Sequence, residues 1–186
     1  MQLTTGFTNP PIDAARAFRL VLDAMAHPAR IVALPEIDAP APCSPAAATV
    51  LLTLVDATTP LHLAGAYDCG TVRDWVGFHL GAPLVSPQHA AFALGTWDAL
   101  GPLNRFAQGT AHYPDRSATL IVDSSELRNI GTRLTGPGIK TEAFLALPDI
   151  AALQGNAAQF PCGVDFLFTS GVQLAALPRS TQIGGV

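Results

Sequence analysis

Apolar positions along the chain follow two periods. Ala14, Ala17, Phe18, Val21, Leu22 and Met25 keep i, i+3, i+4 spacing, which lays one apolar stripe along a helix. Asp13 is placed to cap it, and Pro28 ends it, because the residue before a proline avoids the α region. "RIVAL" then reads as a buried strand. Ser44 and Pro45 have the chemistry of an N-cap and a first helical residue. The helix they open, Ala46 to Asp56, is apolar nearly all round and is expected to be deeply buried. "PLHLAG" is the next strand. Thr71 with Asp74 resembles a capping box, opening a helix through Leu80 that Gly81 closes.

"AFALG" reads as a strand, and Thr96 as the cap of a helix reaching Phe106. "ATLIVD" is strongly β. "IGTRLT" and "EAFLAL" flank a glycine turn at Gly136 and Gly138, as two strands flank a hairpin. Asp149 to Ala158 is a helix, "VDFLFT" a final core strand, and "LAALPRSTQI" a short, proline-broken end. Helices alternate with β segments, which predicts an α/β sandwich with a sheet covered on both faces, in one domain spanning 1–186. The hairpin makes the sheet mixed.

Composition changes this picture in one respect. Charged residues make up 13% of the 186 and hydrophobic residues 49%. Soluble domains average about 25% charged. Low charge with an apolar surplus is what a large permanent interface leaves in a composition, so part of the surface is expected to lie under a partner. The net charge is −4, without a basic run, which argues against nucleic acid. "MQLTTGFTNPP" shows no signal peptide, and the longest apolar run is too short to span a bilayer. The three cysteines, Cys43, Cys69 and Cys162, are far apart, as expected of free thiols in a reducing cytoplasm.

Sharper chemistry finds little support. "LTGPGIKT" looks like a damaged phosphate loop, but Ile139 separates Gly138 from Lys140 and Pro137 removes a backbone donor. Lys140 is the only lysine, so a pyridoxal-phosphate Schiff base would have to form beside a turn. The histidines lack metal-binding spacing, and no G-x-S-x-G motif occurs. His79 falls in register with Val72, Trp75 and Val76, as a hydrogen-bonded core or interface residue would. Asp56 is placed to hold Thr58 or Thr59 in the following turn. Asp165 and Arg179 could pair with each other or bind an anion.

The segments "AFRLVLDAMAHPARIVAL", "VLLTLVDATTPLHL", "FHLGAPLV", "SATLIVD", "RLTGPGI" and "FPCGVDFLFTSGVQLAALPRSTQI" occur in that order. Together they resemble the H subunit family (PhnH) of the carbon–phosphorus lyase system, from Phe7 to Ile183. Ala29 stands where that family often has glycine. The resemblance implies a three-layer α/β/α fold, similar to pyridoxal-phosphate transferases but with no cofactor. It implies a cytoplasmic subunit, homodimeric when isolated, of a complex with the G, I and J subunits. That complex makes a ribose-phosphonate intermediate from ATP and an alkylphosphonate, before carbon–phosphorus cleavage. The resemblance brings no catalytic, cofactor-binding or metal residue. His79, Asp56, Gly136, Gly138, Pro161, Gly163, Asp165, Pro178 and Arg179 are the candidates for structural or interface roles. The rival readings are an independent enzyme with a cleft built from Asp165, Arg179 and a histidine, and a vestigial anion-binding module.

Overall fold

A computed structural model describes residues 6–184. The first part of the N-terminal stretch searched for a signal peptide lies outside them. In chain order the elements are α1 (Pro10–Ala26), β1 (Val32–Ala33), α2 (Pro45–Leu54), β2 (Leu61–Leu63), α3 (Gly70–His79), β3 (Phe92–Gly95) and α4 (Trp97–Leu100). They continue as β4 (Thr119–Asp123), β5 (Thr132–Thr135), β6 (Ala143–Leu145), α5 (Ile150–Ala157), β7 (Asp165–Ser170), β8 (Gln173–Leu177) and β9 (Gln182–Ile183).

The main sheet has six strands in the order β1-β8-β7-β4-β3-β2. β2, β3, β4 and β7 run parallel, while β8 is antiparallel to β7 and to β1. Successive side chains on a strand point to opposite faces, and both faces here are apolar. Ile121, Leu167, Leu174 and Ala176 join the core beneath α1, α2 and α3. Leu120, Val122, Phe166, Phe168 and Leu177 join a second core with Leu100 of α4 and Leu153 of α5. Leu134 and Leu145 of a separate three-stranded sheet, β6-β5-β9, complete that side. The fold is thus mixed α/β, with helices on one face and a small sheet plus α4 and α5 on the other.

Several expectations are corrected. The mixed character comes from β8 and β1, because the Gly136–Gly138 hairpin builds the second sheet. "VDFLFT" is not the last core strand: the proline-broken end supplies β8 and β9 on either side of Pro178. Only Val32 and Ala33 of "RIVAL" pair as a strand. Gly101–Pro102 stops α4 at Leu100, and a separate 3-10 turn at Leu103–Arg105 follows. α3 starts at Gly70 after Cys69, so Thr71 lies inside the helix and caps nothing. Asn9, not Asp13, is the N-cap of α1, and the Asp13 carboxylate reaches back to accept the Asn9 amide at 2.8 Å.

Most other local chemistry is as expected. Ser44 Oγ accepts from Ala47 N at 3.1 Å to cap α2, whose residues Ala46–Leu51 are all buried. Asp149, read as the first residue of its helix, is instead the N-cap of α5, its Oδ1 accepting from Ala152 N at 2.9 Å. Gly81 follows α3 at φ 62° and donates to Val76 O. Ala29 holds a left-handed φ of 70°, which a Cβ disfavours and glycine tolerates.

Candidate functional site: the outer face of α1 and the groove beside it

α1 carries more apolar surface than its own fold uses. Ala17, Val21 and Ala24 face the core. Phe18 and Leu22, expected on that same stripe, turn one position outward and are 49% and 56% exposed. With Pro11, Ala15 and Met25 they form a second row at i, i+4, i+7, i+11 and i+14, next to the buried one. Pro11 and Ala15 are exposed as well. Arg16 and Arg19 stand exposed on the same helix, and neither pairs with a carboxylate of the described residues.

Met25 carries this row into a groove of 430 Å³, walled by Pro114, Phe160, Pro161 and Pro178. Phe160 is 61% exposed there. Asp165 and Arg179 belong to the polar part of its lining, with Asp115 and Ser180. Arg179 donates from Nε to Asp165 Oδ1 at 3.1 Å and from a terminal nitrogen to Asp165 Oδ2 at 2.5 Å. Its other terminal nitrogen donates to the Pro114 carbonyl at 2.6 Å, and its amide to Asp165 Oδ1 at 2.8 Å. The two side chains are only 14% and 16% exposed. Every guanidinium nitrogen is therefore engaged, and the pair locks the 178–181 turn onto the start of β7. Such a forked pair fixes geometry. The charge of Arg179 is already matched by the Asp165 carboxylate, which disfavours an incoming anion there.

All the candidate residues except Asp56 and His79 gather near this end of α1. Gly136, at φ 122°, lies against Ser180–Gln182, where a Cβ would stand 3.3 Å from Ser180 O. Gly138, at φ 80°, lies so close to α1 that a Cβ would stand 2.0 Å from Ala26 O. Only glycine allows that approach. Gly163, at φ 107°, backs the start of β7 against Asn156. Pro161 and Pro178 line the groove itself. Lys140, beyond the hairpin glycines, lines a separate 530 Å³ cavity with His27, Arg30 and Glu142. Glu142 there is paired with Arg133, and Arg30 with Asp23.

His79 sits at the end of α3, half-buried, with its ring 4.9 Å from those of Trp75 and Phe78. It lines a different pocket, with Phe7 and Leu52, and the groove that holds Asp165 and Arg179 has no histidine in its lining. Asp56 accepts from Thr58 N, Thr58 Oγ1 and Thr59 Oγ1, each at 2.8 Å. The Thr59 and Thr58 hydrogen bonds hold its carboxyl below the usual range. Among the described residues no three His, Cys, Asp or Glu stand together so as to hold a metal ion. No helix among them is long and apolar enough to cross a membrane.

Two polar anchors escaped the sequence reading. Asp123, 6% exposed at the end of β4, accepts from Ser44 N at 2.8 Å, Tyr67 Oη at 3.1 Å and Thr169 Oγ1 at 2.9 Å. Burial, and then the nearby Asp123 carboxylate, push the Cys43 thiol up to about 12 and raise the Tyr67 phenol as well. Asn156, buried in α5, clasps Val164 through both amide atoms at 2.9 and 2.8 Å. The signal available for each was a polar residue inside a largely apolar element.

Residues 5–184 match the family model described as bacterial phosphonate metabolism protein (PhnH). The chain is 36% identical to the alpha-D-ribose 1-methylphosphonate 5-triphosphate synthase subunit PhnH of Rhizobium meliloti (strain 1021), over 95% of this chain and 93% of that protein. It is 30% identical to the putative C-P lyase subunit protein HtxG of Stutzerimonas stutzeri, over 98% and 97%. The chain therefore belongs to the PhnH family of bacterial phosphonate metabolism proteins.

Proposed function

We propose that this chain is a subunit of a carbon–phosphorus lyase core complex, required there for making the ribose-phosphonate intermediate from ATP and an alkylphosphonate, and without catalytic residues of its own. The observation that carries this is the exposed pair Phe18 and Leu22 on the second apolar row of α1, which leads through the half-buried Met25 into the 430 Å³ groove. Solvent-facing apolar surface of that continuity marks an interaction site. The relatives' names supply the setting, since both are named as subunits. The partners in this reading are the G, I and J subunits, with a homodimer formed by the isolated chain in the cytoplasm.

The single-domain fold is read as a three-layer α/β/α sandwich of the pyridoxal-phosphate transferase kind that needs no cofactor. The exposed hairpin position of Lys140 supports that part of the reading, because Schiff-base chemistry favours a desolvated lysine. The sealed Asp165–Arg179 pair supports a structural role for the family motifs at the groove. Co-purification tests the assignment. The tagged chain, expressed in cells growing on a phosphonate as phosphorus source, is expected to bring down the G, I and J subunits in fixed ratio. Recovery of the chain alone, under conditions where those subunits assemble with one another, contradicts it.

A further inference from the structure

A second cavity is walled by different chemistry. It measures 420 Å³ and lies between the turn after α4 and the outer side of α5. On one side stands Trp97, half-buried, its ring centroid 6.0 Å from that of Phe166. Opposite are Ala152 and Gly155, and a Cβ added at Gly155 would meet nothing within 4 Å. Asn156 is spent on Val164. The polar groups left at the rim are Asp149, one of whose carboxylate oxygens caps α5, and the Gln159 carboxamide, bonded only at 3.4 Å to Gly155 O.

An indole wall facing a small-residue wall suits a flat ring, which stacks on the aromatic face. A carboxamide and a carboxylate at the rim match a ring that both donates and accepts hydrogen bonds at its edge. The volume falls in the range of about 300–1,000 Å³ usual for small-molecule pockets. The geometry points to this slot as a binding site for the base of a nucleoside. The choice of a nucleoside rests on the function proposed above. The relative from Rhizobium meliloti is named for a ribose 5-triphosphate bearing methylphosphonate at C1. A nucleoside triphosphate has the same ribose 5-triphosphate part and carries a base at that carbon.

Fluorescence reads the slot directly. The chain has two tryptophans, and Trp75 is 1% exposed, so a ligand-induced change in emission reports Trp97. Adenosine is titrated into the full chain, with excitation at the red edge of the indole band. Saturable quenching is expected, with no response to ribose 5-phosphate or inorganic triphosphate. Gly155→Leu fills the slot from a position with free space, so its melting temperature is expected to hold or rise while adenosine binding weakens at least about tenfold. Trp97→Ala is expected to weaken adenosine binding by about 10- to 100-fold, read by equilibrium dialysis. Absence of saturable quenching up to millimolar adenosine overturns the inference. So does quenching undiminished in Gly155→Leu, or an equal response to ribose 5-phosphate. Complex membership is read separately by co-purification, so failure of the slot and failure of the subunit reading give different results.

Discussion

α1 and α2 are both rich in apolar residues, and they pack against each other. α2 is covered through its middle by its own chain, with Ala46 through Leu51 all buried. α1 buries Ala17, Val21 and Ala24 but leaves Phe18 and Leu22 facing solvent. The same residue types thus serve two purposes. In α2 they hold the fold together. In α1 the outward row adds little to the fold, and it is the surface proposed above to meet a partner.

Changes in α2 have the largest expected effect. Leu51 is fully buried in the core that the sheet shares with α1, α2 and α3, and Leu51→Ala is expected to cost about 2–5 kcal/mol in urea denaturation. A cost near that of a surface substitution would break the contrast with α1.

The groove floor comes next. Asp165→Asn leaves the Arg179 guanidinium mostly buried without its counter-charge, an expected loss of about 3 kcal/mol. A negligible loss would mean that the pair is not sealed and that Arg179 remains available to a ligand.

The N-terminal approach to α2 gives a smaller, pH-dependent signal. The Cys43 thiol is raised from about 9 to about 12, chiefly by burial. The native state therefore holds the proton more tightly than the unfolded chain. The resulting stability is fully present below pH 9 and is lost as pH rises toward 12, by on the order of 1 kcal/mol at pH 10. Cys43→Ala is expected to flatten that part of the slope, measured by denaturation at pH 8 and pH 10. Tyr67, raised for the same reason, contributes in the same direction and keeps part of the slope in the variant.

How much of this could be read from the sequence follows the range of each interaction. Ser44 and Gly81 act on neighbours within a few residues, and their roles were legible. Asp123 takes its partners from Ser44, Tyr67 and Thr169, 79, 56 and 46 residues away, and no local pattern announces that. Asp165 and Arg179, only 14 residues apart, could be named as a pair, but the Pro114 carbonyl that completes their lock could not. β8 and β9 were hidden because Pro178 reads as a break, whereas it turns the chain from one sheet into the other. The helical period found α1 but merged its two apolar rows. Spacing shows that a face is apolar and leaves open whether it is this chain that covers it.

The smallest effect on the isolated protein accompanies the most direct test. Phe18→Glu with Leu22→Glu places charge on the outward row alone. The double variant is expected to melt like the parent, each site changing stability by about 0.5 kcal/mol or less, and to lose co-purification with the other subunits. Intact assembly by a folded Phe18→Glu/Leu22→Glu protein would contradict the account.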